Sequence, residues 1–556
     1  MRLRLSPLVA ACAMATMLSA CVSSQGIKPS GQLIGADTLH AERSLAGAPL
    51  TKAAWPSQDW WTTLGDPQLD ALVAEALKHN PDIAIASARA RAAQAQAGVV
   101  DARRGMSLKA SASAAGAHLP GTLLPAPLGG HFGWVKYGYL GFHWDLDLWG
   151  GKRAAWEAAV DQAHAAVVDA HAARLLVSVD VARAYARLGY AFKQQSIARE
   201  EVARSSDARK LTVQRVDAGI DSKLQLKRSD AEVAMAKEQL AAAGRQVDAA
   251  RVALSVLLGQ GPDRGLDIQP PKPLAPAAVA LPPDLPANLL GRRPDLVAAR
   301  WRVQAAGRDI KAAKARFLPD ISLGAMAGLV NKGGGTIFEL PARFFQVAPA
   351  ISLPIFDAGA LRANLSGRDA QFDLAVATYN KTLIGAINQV ADDLDGLRAL
   401  KAQVAAQQQA LAAARDAWEL SEQRYKAGVG SFLEALNVRQ QLLKAEQVAA
   451  ALHAQQVDLS IQLIQALGGG FHAASQPAAS QVAVSQTVAP PPEAIAPAVP
   501  DQTSEQPVSA SHAPATHAAS PSQPTATKQA KPAYWQPQTP HTLPPRILQS
   551  GVETQP

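Results

Sequence analysis

The most constraining feature of this sequence is a helical pattern of unusual length. Residues 154–218 contain no proline and a single glycine, Gly189. A helix of that length is typical of a coiled coil or a helical array rather than of an ordinary globular domain. At a rise of about 1.5 Å per residue it would reach on the order of 100 Å. A second long helical pattern follows and extends to about Leu258.

The same arrangement occurs twice in the chain. Residues 214–219 (QRVDAG) match residues 423–428 (QRYKAG) at a shift of 209, and the shift holds without a gap across 142–259. An internal repeat of this size predicts two structurally equivalent halves. We place the first at about 66–260 and the second at about 287–469.

Apolar residues in the helical patterns recur with coiled-coil spacing. Two sets step by seven residues and a third steps by threes and fours. The sets are Leu226, Val233, Leu240, Val247 and Leu254; Leu436, Leu443, Ala450, Val457 and Ile464; and Phe372, Val376, Tyr379, Leu383, Ile387, Val390, Leu394 and Leu397. We therefore predict four long helical segments paired into two hairpins, with Gly219 and Gly428 at the reversals.

Between the helical patterns the period of the apolar residues changes to two. This alternation predicts four strands of about ten residues, the length that a tilted strand needs to cross a bilayer. The alternating residues are Leu108, Ala110, Ala112 and Ala114; Phe142, Trp144, Leu146 and Leu148; Ile321, Leu323, Ala325, Ala327 and Leu329; and Val347, Ile351, Leu353 and Ile355. A half-buried hairpin of a soluble protein would show the same pattern.

Aromatic residues around the second strand fit the girdle of a membrane-spanning sheet. They are Phe132, Trp134, Tyr137, Tyr139, Phe142, Trp144 and Trp149. Four strands cannot close a barrel, and open sheet edges are not viable in lipid. Membrane-spanning strands would therefore require an oligomer, and three chains would supply twelve strands.

The two ends of the chain differ from the repeats in composition. Residues 1–20 read as an export signal, and the sequence LSAC at 18–21 resembles a lipobox, which predicts cleavage before Cys21 and acylation of that cysteine. Cys12 leaves with the signal, so the mature chain cannot form an intramolecular disulfide. Residues 471–556 are rich in Pro, Ala, Ser and Gln, and we predict that they are disordered.

We find no constellation of residues that suggests catalysis. The sequence lacks the common hydrolase, metalloprotease and nucleotide-binding motifs, and His164 and His171 have no third partner for a metal. Asp145 and Asp147 alternate on the polar face of a predicted strand, where we interpret them as lumen-lining charges. The net charge of +8 is small for 556 residues and argues against a nucleic-acid surface. We predict no enzyme activity, no cofactor and no metal site.

Four motifs together resemble the TolC-like outer membrane efflux proteins, most closely the NodT-type lipoprotein subunits of resistance-nodulation-division (RND) efflux systems. They lie at 60–69 (WW, DP and a leucine), 292–295 (RRPD), 353–359 (LPIFDAG) and 424–428 (RYKAG). The resemblance covers residues 21 to about 469. It implies a mainly α fold with transmembrane β-strands, in which a homotrimer closes a twelve-stranded barrel in the outer membrane above a long periplasmic tunnel of helices.

The function that the resemblance implies is a passive, gated exit duct for drugs or other small toxic molecules. An inner-membrane RND pump would supply the energy, and a periplasmic adaptor protein would meet the helix tips. Cys21 would anchor each chain to the lipid of the outer membrane. The exported compound is not predicted, because duct lumens are broad and specificity lies upstream.

The resemblance also assigns roles to residues at the tips. Gly219, Ser222, Gly428 and Ser431 would contact the adaptor, and Tyr425 matches a tyrosine that helps to close the pore. At the two positions of the family's tip salt bridge this chain has Gln225 and Gly430, so that salt bridge is in doubt.

Two further tip residues match positions that line the constriction in the family. Glu434 falls at an acidic position of the family, and Asn437 occupies the next such position. Three copies of Glu434 could form a cation-favouring ring. A solvated charge on the helix surface is an equally good interpretation.

Two other functions agree with part of the pattern. An outer-membrane duct of a type I secretion system, fed by an ATP-driven transporter, would share the fold. A coiled-coil structural lipoprotein that tethers envelope layers would explain the anchor and the heptads. The tether would not explain four strands of membrane length with aromatic belts.

Overall fold

The structure is a computed structural model. It describes residues 23–35, 38–40, 43–44, 55–118, 120, 122, 130, 132–277, 285–332, 337–338 and 340–473. The predicted acylation site, Cys21, lies outside the described residues, as does the predicted disordered segment beyond Ala473.

Eight α-helices and four strands form most of the described part of the chain. The helices are α1 (Pro67–His79), α2 (Pro81–Ala102), α3 (Gly151–Asp217), α4 (Lys223–Leu257), α5 (Leu285–Arg292), α6 (Pro294–Ala315), α7 (Ala360–Lys426) and α8 (Phe432–Ala466). The strands are β1 (Ser107–His118), β2 (Phe132–Leu146), β3 (Asp320–Lys332) and β4 (Arg343–Ser352). Both α3 and α7 have 67 residues, and both α4 and α8 have 35. The predicted four long helices in two hairpins are confirmed.

Local sequence explains where the long helices end and the short ones begin. Gly219 and Gly428 have φ of 71° and 79°, a left-handed backbone that a side chain would disfavour by about 1 kcal/mol or more. Ser222 and Ser431 then cap the returning helices α4 and α8. At the start of α2, Asn80 accepts a hydrogen bond from the Asp82 amide at 2.8 Å, with proline at the first helical position.

The four strands form one antiparallel sheet in the order β1-β2-β3-β4. Within the described residues, neither β1 nor β4 has a partner on its outer side. Leu108 pairs with Phe142, Phe142 with Ala325 and Ala325 with Val347, so these side chains share one apolar face of the sheet.

The register corrects three details of the predicted strands. Tyr139 pairs with Ser111, and Tyr137 with Ser113, so both tyrosines lie on the face opposite to Phe142 and cannot belong to the same girdle. Asp147 lies beyond the end of β2, and its carboxylate accepts hydrogen bonds from the amides of the first turn of α3. Three predicted strand residues also lie beyond the strand ends, namely Leu148, Leu353 and Ile355.

Burial follows the predicted apolar stripe of α7 closely and those of α4 and α8 only in part, since Leu436, Leu443 and Ala450 of α8 are half-buried. In α7 the stripe from Val376 to Leu394 is buried at each predicted position. In α4, Val233, Val247 and Leu254 are buried, and small side chains between them allow close helix packing. Each large apolar side chain that is fully buried contributes roughly 1.5–3 kcal/mol to folding.

The segment before the first repeat runs along α7. Asp373 accepts hydrogen bonds from the Ser30 and Gly31 amides at 2.9 and 2.6 Å, and Asn380 accepts one from the Ile34 amide at 2.9 Å. Nearer the start of α7, Arg362 donates to the Ser23 carbonyl. We call residues 23–35 the N-terminal strap. Because α7 begins shortly after β4, the strap begins at the strand end of the helices.

In the part of the chain that the structure covers, no helix has an apolar stretch long enough to cross a membrane.

Candidate functional site at the helix tips

The two hairpins end side by side. The turn between α3 and α4 contains the predicted tip residues Gly219 and Ser222, and the turn between α7 and α8 contains Gly428 and Ser431. Side chains from the first hairpin reach the second at this level. The predicted tip residues are therefore brought to one end of the molecule.

Tyr425 is the centre of the contact between the tips. Its side chain is buried, and its hydroxyl donates a hydrogen bond to Oδ2 of Asp221 at 2.9 Å. Arg215 donates from Nε to the same carboxylate oxygen at 2.9 Å and from Nη1 to the Tyr425 carbonyl oxygen at 3.3 Å. The Arg215 guanidinium also lies over the Tyr425 ring, 4.7 Å from its centroid. We call Arg215, Asp221 and Tyr425 the tip latch.

The electrostatics of the latch keep each group in the protonation state that the contacts require. Burial raises the pKa of Tyr425, and its hydrogen bond to Asp221 raises that pKa further, so the phenol stays protonated and can donate. The hydrogen bond to Asp221 likewise raises the pKa of Arg215. The latch is thus a charge-assisted network with one acceptor carboxylate shared by two donors.

Side chains from both hairpins surround the ring of Tyr425. The rings of Tyr425 and Phe432 meet edge to face with centroids 6.1 Å apart. Phe432 and Ala435 are buried beside Tyr425, and Leu211 of α3 packs against them. Thr212 lies behind the phenol, with its hydroxyl 3.4 Å from that of Tyr425. These contacts fix the Tyr425 rotamer and so aim its hydroxyl at the first hairpin.

The predicted gate position Gln225 has a different role. Its side chain accepts a hydrogen bond from the Ser222 amide, and its own amide donates to the Ser222 hydroxyl, so the two residues form a capping box at the start of α4. At the other replaced position, a Cβ on Gly430 would lie 3.2 Å from backbone and side-chain atoms of Arg424. The tip fold here has little room for the arginine that the family resemblance would put at 430.

Glu434 and Asn437 lie one turn apart on an exposed face of α8. The Glu434 amide donates to Ser431 at 3.1 Å in the helix cap, and its carboxylate is 3.8 Å from Nε of Arg424. Both side chains of that ion pair are about half exposed to solvent, so the attraction between them is weak.

Sequence reasoning missed Arg215 and Asp221. A signal was available, because the repeat shift places Arg215 opposite Arg424 and Asp221 opposite Gly430. The first tip therefore has its own acid two residues after its glycine, at the position where the second tip has none. Arg215 and Asp221 form an ion pair at the first tip, with Nε and Oδ2 2.9 Å apart.

Large apolar side chains are exposed at both tips. Ile220 and Leu224 follow the first tip glycine, and Val429 and Leu433 occupy the equivalent positions of the second tip. Each is between 52% and 69% exposed. We call these four residues the tip surface.

The site has no features of a catalytic centre among the described residues. No group of three or more His, Cys, Asp or Glu could hold a metal ion within the described ranges. The latch consists of hydrogen bonds and a cation–π contact, which join two separate hairpins without a covalent bond.

Comparisons with known proteins address the family and the fold of the chain. A sequence profile described as outer membrane efflux protein matches residues 72–260 and 285–469. The chain is 35% identical over 374 residues to the fusaric acid resistance protein FusA of Burkholderia cepacia. This alignment covers 65% of this chain and 69% of FusA. It is 31% identical over 476 residues to the multidrug resistance outer membrane protein MdtP of Escherichia coli O6:H1, covering 84% of this chain and 95% of MdtP.

One solved structure shares this fold over the whole length of the solved chain. The outer membrane protein VceC of Vibrio cholerae superposes with a TM-score of 0.70 at 32% sequence identity. The match covers 75% of this chain and 100% of VceC.

Proposed function

Because the chain belongs to the outer membrane efflux protein family, we propose that three copies of it close into one exit duct whose periplasmic end is gated by the tip latch. The protein is an outer-membrane efflux channel, with a large periplasmic portion formed by its long helices. The observation that carries the proposed gate is the contact of Tyr425 with Asp221, which joins the two hairpins of one protomer.

The exposed edges of the chain support a trimer. β1 and β4 have no outer partner among the described residues, and unpaired edges are not stable in lipid. Pairing β4 of one protomer with β1 of the next would give a closed barrel of twelve strands. The same side-by-side packing would cover apolar side chains that are exposed on α2 and α7, such as Val99 and Leu374.

The duct works passively in this proposal, and we assign it no catalytic step. An inner-membrane RND pump supplies the energy and drugs or other small toxic molecules are the cargo. A periplasmic adaptor protein covers the tip surface and contacts the turns at Gly219, Ser222, Gly428 and Ser431. The adaptor opens the duct by favouring the state in which the latch is broken.

Acylated Cys21 anchors each protomer to outer-membrane lipid. The N-terminal strap supports this, because it holds Ser23 against Arg362 near the start of α7, close to the sheet. A Cys21→Ala variant should lose incorporation of radiolabelled palmitate and still form trimers. Labelling that persists in this variant would disprove acylation at Cys21.

Three copies of Glu434, with Asn437 one turn further along, line the constriction and favour cations there. In planar bilayers, Glu434→Ala should reduce block of the channel by divalent cations. An unchanged block would leave Glu434 as a surface charge.

The gate is tested by the conductance of purified protein in planar bilayers. Wild type should be mostly closed, and Asp221→Asn should raise the open probability several-fold, because the shared acceptor loses its charge. Asp217→Asn is the matched control, since Asp217 is exposed at the end of α3, just before the turn that holds Asp221, and has no polar side-chain partner in the described chain. Equal open probabilities for both variants and wild type would refute the latch, and protein that forms no channel at all would refute the duct.

A further inference from the structure

A cavity of about 550 Å³ lies between the two hairpins, well away from the tips. Its walls come from α3 on one side, from α7 and α8 on the other, and from residues 271–274 of the segment that joins the repeats. Most of the wall is apolar and includes Tyr190, Leu274, Leu411 and Val457. This volume is within the range of pockets that hold drug-sized molecules.

A buried carboxylate holds residues 271–274, which form one wall of the cavity, in place. Asp66 accepts hydrogen bonds from the Tyr185 hydroxyl at 2.6 Å and from the Lys272 amide at 3.1 Å. Further along the same segment, the Ala277 amide donates to the Ser460 hydroxyl at 3.2 Å. The joining segment is thus tied to both α3 and α8, and the cavity is formed without a ligand.

The charges around the cavity are unbalanced. Its two acids, Glu200 and Glu446, both lie against Arg204, at 3.4 and 2.9 Å. Lys193, Lys272 and Arg415 also line the cavity, and none of these three side chains has a polar partner among the residues that the structure describes. Since the two acids share the single positive charge of Arg204, the three unpaired cations leave a net positive charge around the apolar chamber.

We propose that this cavity binds a small amphipathic anion, with an apolar aromatic body between the helices and one carboxylate or sulfonate group between Lys193 and Arg415. An apolar wall removes the body from water, and charge-assisted hydrogen bonds orient the anionic group. His453 lies on the same rim and can donate a further hydrogen bond from a ring N–H. A neutral molecule of the same shape would gain only the apolar contribution.

The position of the cavity gives the ligand a consequence for the channel. It contacts α3 of the first hairpin and both helices of the second, which are the elements that the tip latch joins. A bound ligand holds the hairpins together and so opposes opening. This consequence rests on the proposed function, whereas binding itself does not.

The proposal is tested by titrating the full-length protein in detergent with anilinonaphthalene sulfonate, an anionic aromatic probe whose fluorescence rises on burial. Arg415→Glu should weaken the saturable binding by about tenfold or more, since it replaces an attraction with a repulsion. Lys401→Glu is the control, because it makes the same charge change at an exposed position of α7 outside the cavity. Equal affinities for the two variants would overturn the proposal.

Three further measurements separate the parts of the proposal. Gly189 lies in the wall, and a Cβ there would be 3.5 Å from Pro271, so Gly189→Phe should fill the chamber and abolish saturable binding. The uncharged analogue phenylnaphthylamine should bind the wild type more weakly than the sulfonate does, and equal binding would overturn the anionic part. In planar bilayers the sulfonate should lower the open probability of wild type but not of Arg415→Glu. If the bound sulfonate leaves the open probability of wild type unchanged, only the proposed effect of binding on channel opening is refuted.

Discussion

The phenol of Tyr425 donates a hydrogen bond to Asp221 across 2.9 Å, although the two residues are 204 positions apart and belong to different hairpins. Since Asp221 also accepts from Arg215, the carboxylate joins a donor of its own hairpin to a donor of the other. A single carboxylate therefore connects the two halves of the repeat at this end of the molecule.

A double-mutant cycle should show that Tyr425 and Asp221 act as one unit. Tyr425→Phe and Asp221→Asn should each increase the ratio of open to closed channels by roughly 5- to 30-fold, the equivalent of about 1–2 kcal/mol. The double variant should open little more than either single variant, because the bond is already broken. Single-channel recording measures the ratios, and fully additive effects would contradict direct coupling.

A buried arginine on α8 should be one of the main stabilising groups of the helical bundle. Arg439 is almost fully buried, with Nε 3.0 Å from Glu201 on α3 and Nη2 2.9 Å from Glu232 on α4. Arg439→Met should destabilise the protein by about 3–5 kcal/mol, since Glu232 loses its hydrogen-bonded counter-charge and buried Glu201 keeps only the attraction of Arg204. Denaturant unfolding followed by circular dichroism measures this.

Two comparisons show whether the loss of Arg439 acts through charge. Adding Glu201→Gln and Glu232→Gln to Arg439→Met should recover most of the stability, because no unpaired acid then remains. Arg199→Met, at an exposed position of α3, should change the free energy of unfolding by no more than about 0.5 kcal/mol. If the triple variant were no more stable than the single one, lost packing would be the cause instead.

The buried acid Asp393 should make stability depend on pH. Burial raises its pKa to about 6, and the neighbouring charge of Asp392 acts in the same direction. An acid with a raised pKa stabilises the fold while it is protonated, so its contribution is complete below about pH 4 and is lost as the pH rises through about 6. The loss should be on the order of 1–3 kcal/mol.

Asp393→Asn should remove this dependence and should be more stable than wild type at pH 7. The measurement is the difference between variant and wild-type unfolding free energies from pH 4 to pH 7. Asp392→Asn is the control, because that neighbouring side chain is exposed and should leave most of the pH dependence in place. A difference that does not change with pH would mean that Asp393 does not titrate in this range.

The N-terminal strap should depend on one carboxylate. Hydrogen bonds from the Ser30 hydroxyl and the Gly31 amide lower the pKa of Asp373, so it is ionised and accepts them throughout the neutral range. Asp373→Ala should speed amide hydrogen exchange of residues 30–34 by roughly tenfold or more. Asp395→Ala, on the same helix but remote from the strap, should leave that exchange unchanged. Unchanged exchange in Asp373→Ala would show that the strap is held by other contacts.

Sequence reasoning predicted the helices well because their determinants are local. The glycines at 219 and 428, the serine caps that follow them and the stripe from Val376 to Leu394 each act within a few residues of chain. The ends of the strands were not predicted correctly, because an alternation of apolar and polar residues does not determine where a strand stops. Asp147 continues the alternation of β2 and yet caps a helix.

The latch could not be predicted from local patterns. Arg215 and Arg424 are equivalent in the repeat, yet one meets Asp221 and the ring of Tyr425, and the other lies near Glu434. Which pair forms depends on how the two hairpins are rotated against each other, and that rotation is set by packing over their whole length. The family pattern identified Tyr425 and placed a tip salt bridge at positions 225 and 430, but this chain uses Gln225 for a helix cap.

The equal lengths of α3 and α7, 67 residues each, limit which insertions and deletions the chain can accept. Removing one residue from α3 would turn its tip by about 100° and shorten it by about 1.5 Å, which would carry Arg215 away from Tyr425. A change that keeps the tips level and their facing side chains in phase must be made in both helices of both hairpins and must be close to a whole number of turns, as a heptad is. A heptad added to all four long helices would lengthen this protein below the membrane by about 10 Å.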